Sequence, residues 1–170
     1  MADINTALSS DEIERVMNFY GKPIKFLLYS DIHKIVRIEQ LLPRTLILYE
    51  LDTIGHFCCV FVNRQGINFF DPLGFCIDEE LKLVRPDYAA SKHHDFPYLA
   101  NLLVNCRYNI IYNDKKLQAR HTSVCGHWCV LRMLCEDMTD KQFEDAFKGI
   151  PNRDRAVAVV YRDLKKNMSI

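Results

Sequence analysis

Between His56 and Val62 the chain runs His-Phe-Cys-Cys-Val-Phe-Val, apolar at almost every position. A strand with one wet face alternates, so this run reads as a strand covered on both faces, and the chain has to build packing layers on either side of a sheet. Asn63-Arg64-Gln65-Gly66 then reads as a turn and Ile67 to Phe70 as the returning strand. Asp71-Pro72 ends that strand, because proline cannot donate to a central ladder. Antiparallel neighbours joined by a short turn bring their open ends together, so His56 and Asp71 are predicted to fall side by side.

Helices supply the covering layers. From Val124 to Cys135 the apolar positions Val124, Trp128, Val130, Leu131, Leu134 and Cys135 occupy much of the circumference, which marks a central, largely buried helix. Ser9 and Glu12 form a capping box ahead of Ile13, Val16, Met17 and Tyr20, with Gly21 as the stop of an amphipathic first helix. Ile24 to Tyr29, Thr45 to Leu51 and Tyr108 to Tyr112 read as strands, and Asp78 to Val84 and Tyr98 to Val104 as helices. Thr139 with Gln142 caps another helix that stops at Gly149-Ile150-Pro151, and a last one starts near Asn152 and runs through Leu164 to Lys165-Lys166. The pattern predicts one α+β domain over residues 1–170, a mostly antiparallel central sheet packed against helices.

Twenty-two basic residues balance twenty-two acidic ones, which removes the electrostatic footprint of a dedicated nucleic-acid binder. No window has the run of apolar residues that a membrane span requires, and Met1-Ala2-Asp3-Ile4-Asn5 has no basic lead into an apolar stretch, so a soluble, unsecreted protein is expected. Seven cysteines, an odd number without the spacing of a small disulfide scaffold, point to a reducing compartment where thiols serve as core residues or reagents.

One thiol stands out. Cys125 opens the buried helix seven residues after Gln118, and a helix N-terminus beside an imidazolium favours the thiolate, the nucleophilic form of cysteine. Partial exposure at the end of the preceding loop is expected as well. His56 would hold the ion pair and later protonate a leaving amine, while Asp71 would take the other ring nitrogen and fix its tautomer. The backbone N–H of Cys125 and the side-chain amide of Gln118 are candidate oxyanion donors, and Gly126 permits a close approach of substrate or of packing backbone. Cys58, Cys59, Cys129 and Cys135 read as core. His121, Cys125, His127 and Cys129 are all zinc-ligand types, but Cys125 and Cys129 share a helix face while His127 points elsewhere and no second paired cluster is present, so no metal is expected.

With these residues assembled, the chain resembles the adenovirus endopeptidase (adenain) group of viral cysteine proteases, related more distantly to the SUMO and ubiquitin-like deconjugases. Gly55-His56-Phe57 looks like that group's strand-opening histidine, Asn68-Phe69-Phe70-Asp71-Pro72-Leu73-Gly74-Phe75 like its acid followed by Pro, an aromatic, Gly and Phe, and Gln118 with Ser123-Val124-Cys125-Gly126-His127-Trp128-Cys129 like its glutamine and Cys-Gly helix entry. Two departures stand out: Phe57 follows the histidine where much of the wider group has tryptophan, and Asp71 is the acid where the adenovirus enzymes carry glutamate. The resemblance implies a papain-like fold with the nucleophile at the N-terminus of a buried helix, and a thiol endopeptidase with catalytic His56, Asp71, Gln118 and Cys125. Its compact spacing looks most like the maturation proteases of virophages and polinton-type viruses. These imply cleavage of capsid or core precursor proteins after small, glycine-type residues, in the virion, host cytoplasm or virus factory.

A deconjugase or effector acting on ubiquitin-like modifiers stays open as the alternative. No cofactor is implied as a requirement, and no membrane partner. The resemblance raises an activating peptide disulfide-linked at the place of Cys106, although a buried apolar cysteine is the commoner fate of this residue type. It also raises DNA on the basic last helix, with Arg153, Arg155, Arg162, Lys165 and Lys166. Asp154 and Asp163 interrupt that stretch, so its residues alone read as a solvated face.

Overall fold

The computed structural model describes residues 3–168. Its elements, in chain order, are α1 (Ser10–Phe19), β1 (Lys25–Leu28), β2 (Arg44–Leu51), β3 (Ile54–Asn63), β4 (Gly66–Phe70), α2 (Pro86–Ser91), α3 (Tyr98–Val104), β5 (Ile110–Tyr112), α4 (Cys125–Leu134), α5 (Asp140–Asp145) and α6 (Arg153–Asn167). Short 3-10 turns occupy Tyr29–Lys34, Ile38–Leu41 and Glu79–Leu83. The last of these replaces the helix expected over Asp78 to Val84, and α2 follows it with Pro86 at the first helical position, where a missing N–H costs nothing.

The five strands form one sheet in the order β1-β2-β3-β4-β5. Its three longer, central strands are antiparallel, β2 against β3 from Arg44↔Phe61 to Leu51↔Ile54 and β3 against β4 from Cys59↔Phe70 to Asn63↔Gly66. The short edge strands β1 and β5 join in parallel. The architecture is α+β, as the hydrophobic pattern predicts.

β3 carries the two-sided core. Phe57, Cys59 and Phe61 face a cluster built with Ile13 and Met17 of α1, Trp128, Cys129 and Met133 of α4, and Val157 and Tyr161 of α6. Cys58 and Val60 face the opposite layer, with Tyr29, Ile38, Tyr49, Leu99 and Leu103. Because alternate strand residues point to opposite faces, both parities must be apolar, and this accounts for the unbroken run. α4 is wrapped on all sides, and the guanidinium of the fully buried Arg132 lies 4.7 Å from the ring centre of Phe61 and 5.2 Å from that of Phe143. Arg132 also donates through its two terminal nitrogens to the carbonyls of Cys135 and Met138 and to Asp140 Oδ1, while its Nε is buried without a partner.

Candidate active site

Strand register places the first two members. The β3–β4 ladder ends at Cys59↔Phe70, so His56 runs on beyond it while Asp71 leaves β4 at the same end. The His56 Nε2 to Asp71 Oδ1 distance is 2.9 Å, and both residues are buried. Asp71 is held on both sides. Its backbone N–H donates to Asn113 Oδ1 and its carbonyl accepts from Asn113 Nδ2, at 2.9 and 2.7 Å, and its Oδ1 also accepts from Leu73 N–H at 2.7 Å. Gly74 N–H donates to the Asp71 carbonyl, closing a tight turn in which Gly74 has φ +72°.

The third member arrives on α4. Cys125 is its first residue, after Val124, and its thiol lies close enough to the ring of His56 to help raise the histidine. With Nε2 committed to Asp71, Nδ1 is the ring nitrogen left for a partner. Burial disfavours a charged ring at His56, but hydrogen bonds to Asp71 and Cys125, together with the charges on both, outweigh it and raise the histidine to about 10. Burial likewise works against the Asp71 carboxylate, yet the adjoining Glu80 and the bonded His56 keep it below the ordinary value. An imidazolium held between an acid and a sulfur is the arrangement of an activated thiol. At 6% exposure, Cys125 is more enclosed than the partial exposure expected of it.

Gln118 is tied to the same corner. Leu117 N–H and Gln118 N–H both donate to the carbonyl of Pro72, the residue after Asp71, at 3.0 and 2.9 Å. Gln118 Nε2 donates one hydrogen to the Thr122 carbonyl at 2.8 Å, which leaves its second N–H uncommitted. The loop between Gln118 and Cys125 is pinned by Asp154 of α6, whose Oδ2 accepts from Ala119 N–H and the Thr122 hydroxyl and whose Oδ1 accepts from Trp128 Nε1. Asp154 is therefore buried, a correction to the solvated face read for this part of α6. A cavity of about 510 Å³ opens beside Gln118, lined also by Lys116, Ala119, Thr122, Asn152 and Arg153.

Gly126 serves helix packing: a Cβ there would stand 2.9 Å from Ile13 Cδ1 of α1. Cys58, Cys59 and Cys129 are core residues, as expected, and Cys135 is partly buried against the α4 layer. Cys106 is half-buried against the second core cluster, its thiol 3.9 Å from the Tyr108 carbonyl.

The residue that sequence reading misses is Glu80. It lies in the 3-10 turn Glu79–Leu83, fully buried, with Oε1 accepting from the Cys58 thiol at 3.5 Å and standing 3.8 Å from His56 Nε2. Burial first, and then the adjoining Asp71, push its carboxyl well above the usual range. Among the described residues, the group of metal-ligand types gathered closely enough to hold an ion is His56, Cys58, Asp71 and Glu80, with one ligand-type atom from each lying within 4.8 Å of the others, and not the set around His121 and His127.

This fold is similar to that of ChlaDub1 from Chlamydia trachomatis. The two align over 98% of this chain and 93% of that one, with a TM-score of 0.51 and 12% identity. The SUMO protease Ulp1, solved with its catalytic cysteine oxidised to a sulfenic acid, aligns over 92% of this chain and 78% of its own, with a TM-score of 0.43 and 14% identity. No protein-family model matches the chain. In sequence it is 30% identical over 136 residues to Uncharacterized protein V9 of Sputnik virophage, covering 76% of this chain and 78% of V9. The chain belongs to the family of that virophage protein.

Proposed function

We propose that this protein is a cysteine endopeptidase. The observation that carries the reading is the His56 ring, hydrogen-bonded to Asp71 and raised by the neighbouring thiol that opens α4. The Cys125 sulfur, having given its proton to His56, attacks the scissile carbonyl, and the resulting oxyanion is met by the Cys125 backbone N–H and the uncommitted N–H of Gln118. His56 then protonates the departing amine, leaving a thioester on Cys125. Water, deprotonated by His56, hydrolyses that thioester and restores the pair. Asp71 keeps its bond to Nε2 throughout and fixes which ring nitrogen faces sulfur.

The kinship with a virophage protein favours structural precursors of a virion as substrates, and the resemblance to the adenovirus endopeptidase group implies cleavage after small residues in an infected cell or in the particle. Incubating purified capsid precursors with wild-type and Cys125→Ala protein, and mapping new termini by mass spectrometry, tests this directly. New termini after glycine-type residues with the wild type alone are expected. Cleavage of ubiquitin-like conjugates with capsid precursors left intact would replace the substrate class and keep the chemistry, whereas cleavage by Cys125→Ala would overturn both. A peptide linked at Cys106, or DNA on α6, enters as an activator if either accelerates cleavage when added.

A further inference from the structure

The buried carboxyls of Asp71 and Glu80 make a proton-counting problem. Asp71 Oδ1 is saturated by His56 Nε2 and Leu73 N–H, and Glu80 Oε1 accepts from the Cys58 thiol. Their other oxygens, Asp71 Oδ2 and Glu80 Oε2, are buried and have no donor as carboxylates. Two orphaned acceptors on adjoining acids are satisfied together by a single hydrogen. We propose that Glu80 is an uncharged further member of the site, its Oε2–H donating to Asp71 Oδ2 so that Asp71 is held in register with His56.

The neighbours fit a neutral acid. Facing Glu80 are Tyr49 from β2, His56 and Cys58 from β3, and Asp71 after β4, and the Tyr49 hydroxyl is already spent on Asp78 Oδ1 at 2.8 Å. His56 is the one cation in this group, and the proposed mechanism sets it against Asp71 and a Cys125 thiolate. A charged Glu80 would add a second carboxylate beside Asp71 in a water-poor site, where like charges cannot both persist cheaply. The upward push on the Glu80 carboxyl agrees with this. Glu80 touches no substrate atom. It is a positioning residue that acts through Asp71.

The inference rests on the Cys125–His56 pair of the proposed function, so its test reads Glu80 and the pair separately. Infrared spectra of intact wild-type protein, Glu80→Gln and Glu80→Ala at neutral pH report a neutral carboxylic acid, and alkylation of Cys125 by iodoacetamide, mapped by peptide mass across pH, reports the pair. The wild type is expected to show an acid band that Glu80→Gln lacks. Glu80→Gln, whose amide still donates to Asp71, retains rapid alkylation, while Glu80→Ala slows it by about tenfold, the order seen when an outer hydrogen bond to a functional side chain is lost. Fast wild-type alkylation without the acid band, Gln as slow as Ala, or stoichiometric zinc in purified wild type released by Glu80→Gln would each overturn the role of Glu80 alone. A wild-type thiol no more reactive than one in the unfolded chain would overturn the pair, and the positioning role with it.

Discussion

At the scale of single residues, the two most perturbed histidines should respond to pH in opposite ways. His56 is raised from 6.5 to about 10, so the folded state holds its proton more tightly than the unfolded chain does. Its stabilisation is complete below about 6.5 and disappears as pH rises toward about 10. His127, packed edge-on to Tyr161, is pushed down to about 4, chiefly by burial. The unfolded chain takes up a proton there that the folded state does not, so stability falls as pH drops from about 6.5 through about 4. Urea titrations over a pH series should show both slopes, with His56→Gln flattening the alkaline one and His127→Gln the acid one. An acid slope that survives His127→Gln would assign it to other groups. In catalysis, Cys125→Ala is expected to abolish turnover with thermal unfolding little changed, and Asp71→Asn to cost about 10⁴ in kcat by presenting the wrong tautomer. Gln118→Ala should lower kcat by about 10²–10³, the price of one oxyanion donor, with KM little moved. A defect confined to KM would remove Gln118 from that role.

At the scale of elements, the site depends on a turn meeting a loop. Gly74 adopts φ +72°, and a Cβ there would stand 2.7 Å from the backbone carbon of Lys115 and from the nitrogen of Lys116. Backbone cannot swing aside as a side-chain tip does, so Gly74→Ala displaces the segment leading to Gln118 and is expected to cost about 2 kcal/mol from strain and overpacking. Urea unfolding measures the loss, and turnover should fall with it; wild-type values in both assays would mean the segment accommodates the methyl. The elements themselves differ in how far local pattern reveals them. β3 is nearly unmistakable because both faces are buried, and α3 falls on the predicted residues Tyr98–Val104 because its apolar spacing is uninterrupted. The parallel joins of β1 and β5 leave no local mark, since hydrophobic alternation is blind to strand direction. Glu80 is hidden for a related reason: acidic residues in Asp78-Glu79-Glu80 look solvated until the fold sets one of them against Asp71.

At the scale of the whole molecule, the proposed triad is assembled from parts far apart in the chain, and the C-terminal helix closes the assembly. His56 and Asp71 come from the sheet, Cys125 from α4, and the loop carrying Gln118 hangs between Pro72 and Asp154. Flanked by Arg153 and Arg155, Asp154 reads in sequence as a break in a charged surface, whereas in the fold it is a buried hub for three donors. Those donors reach to α6 from the loop and from Trp128 of α4, so the carboxylate couples the last helix to the helix that Cys125 opens and to the loop that carries Gln118 at once. Asp154→Ala strands the N–H of Ala119 and the indole N–H of Trp128, a loss of about 3 kcal/mol at the usual cost of unpaired buried donors. It also frees the loop that presents Gln118. Stability and kcat should therefore fall together, and a second-site change that restores only stability should leave kcat low. If a distant stabilising substitution restored full turnover to Asp154→Ala, the carboxylate would serve folding alone, and the loop would hold its shape without α6.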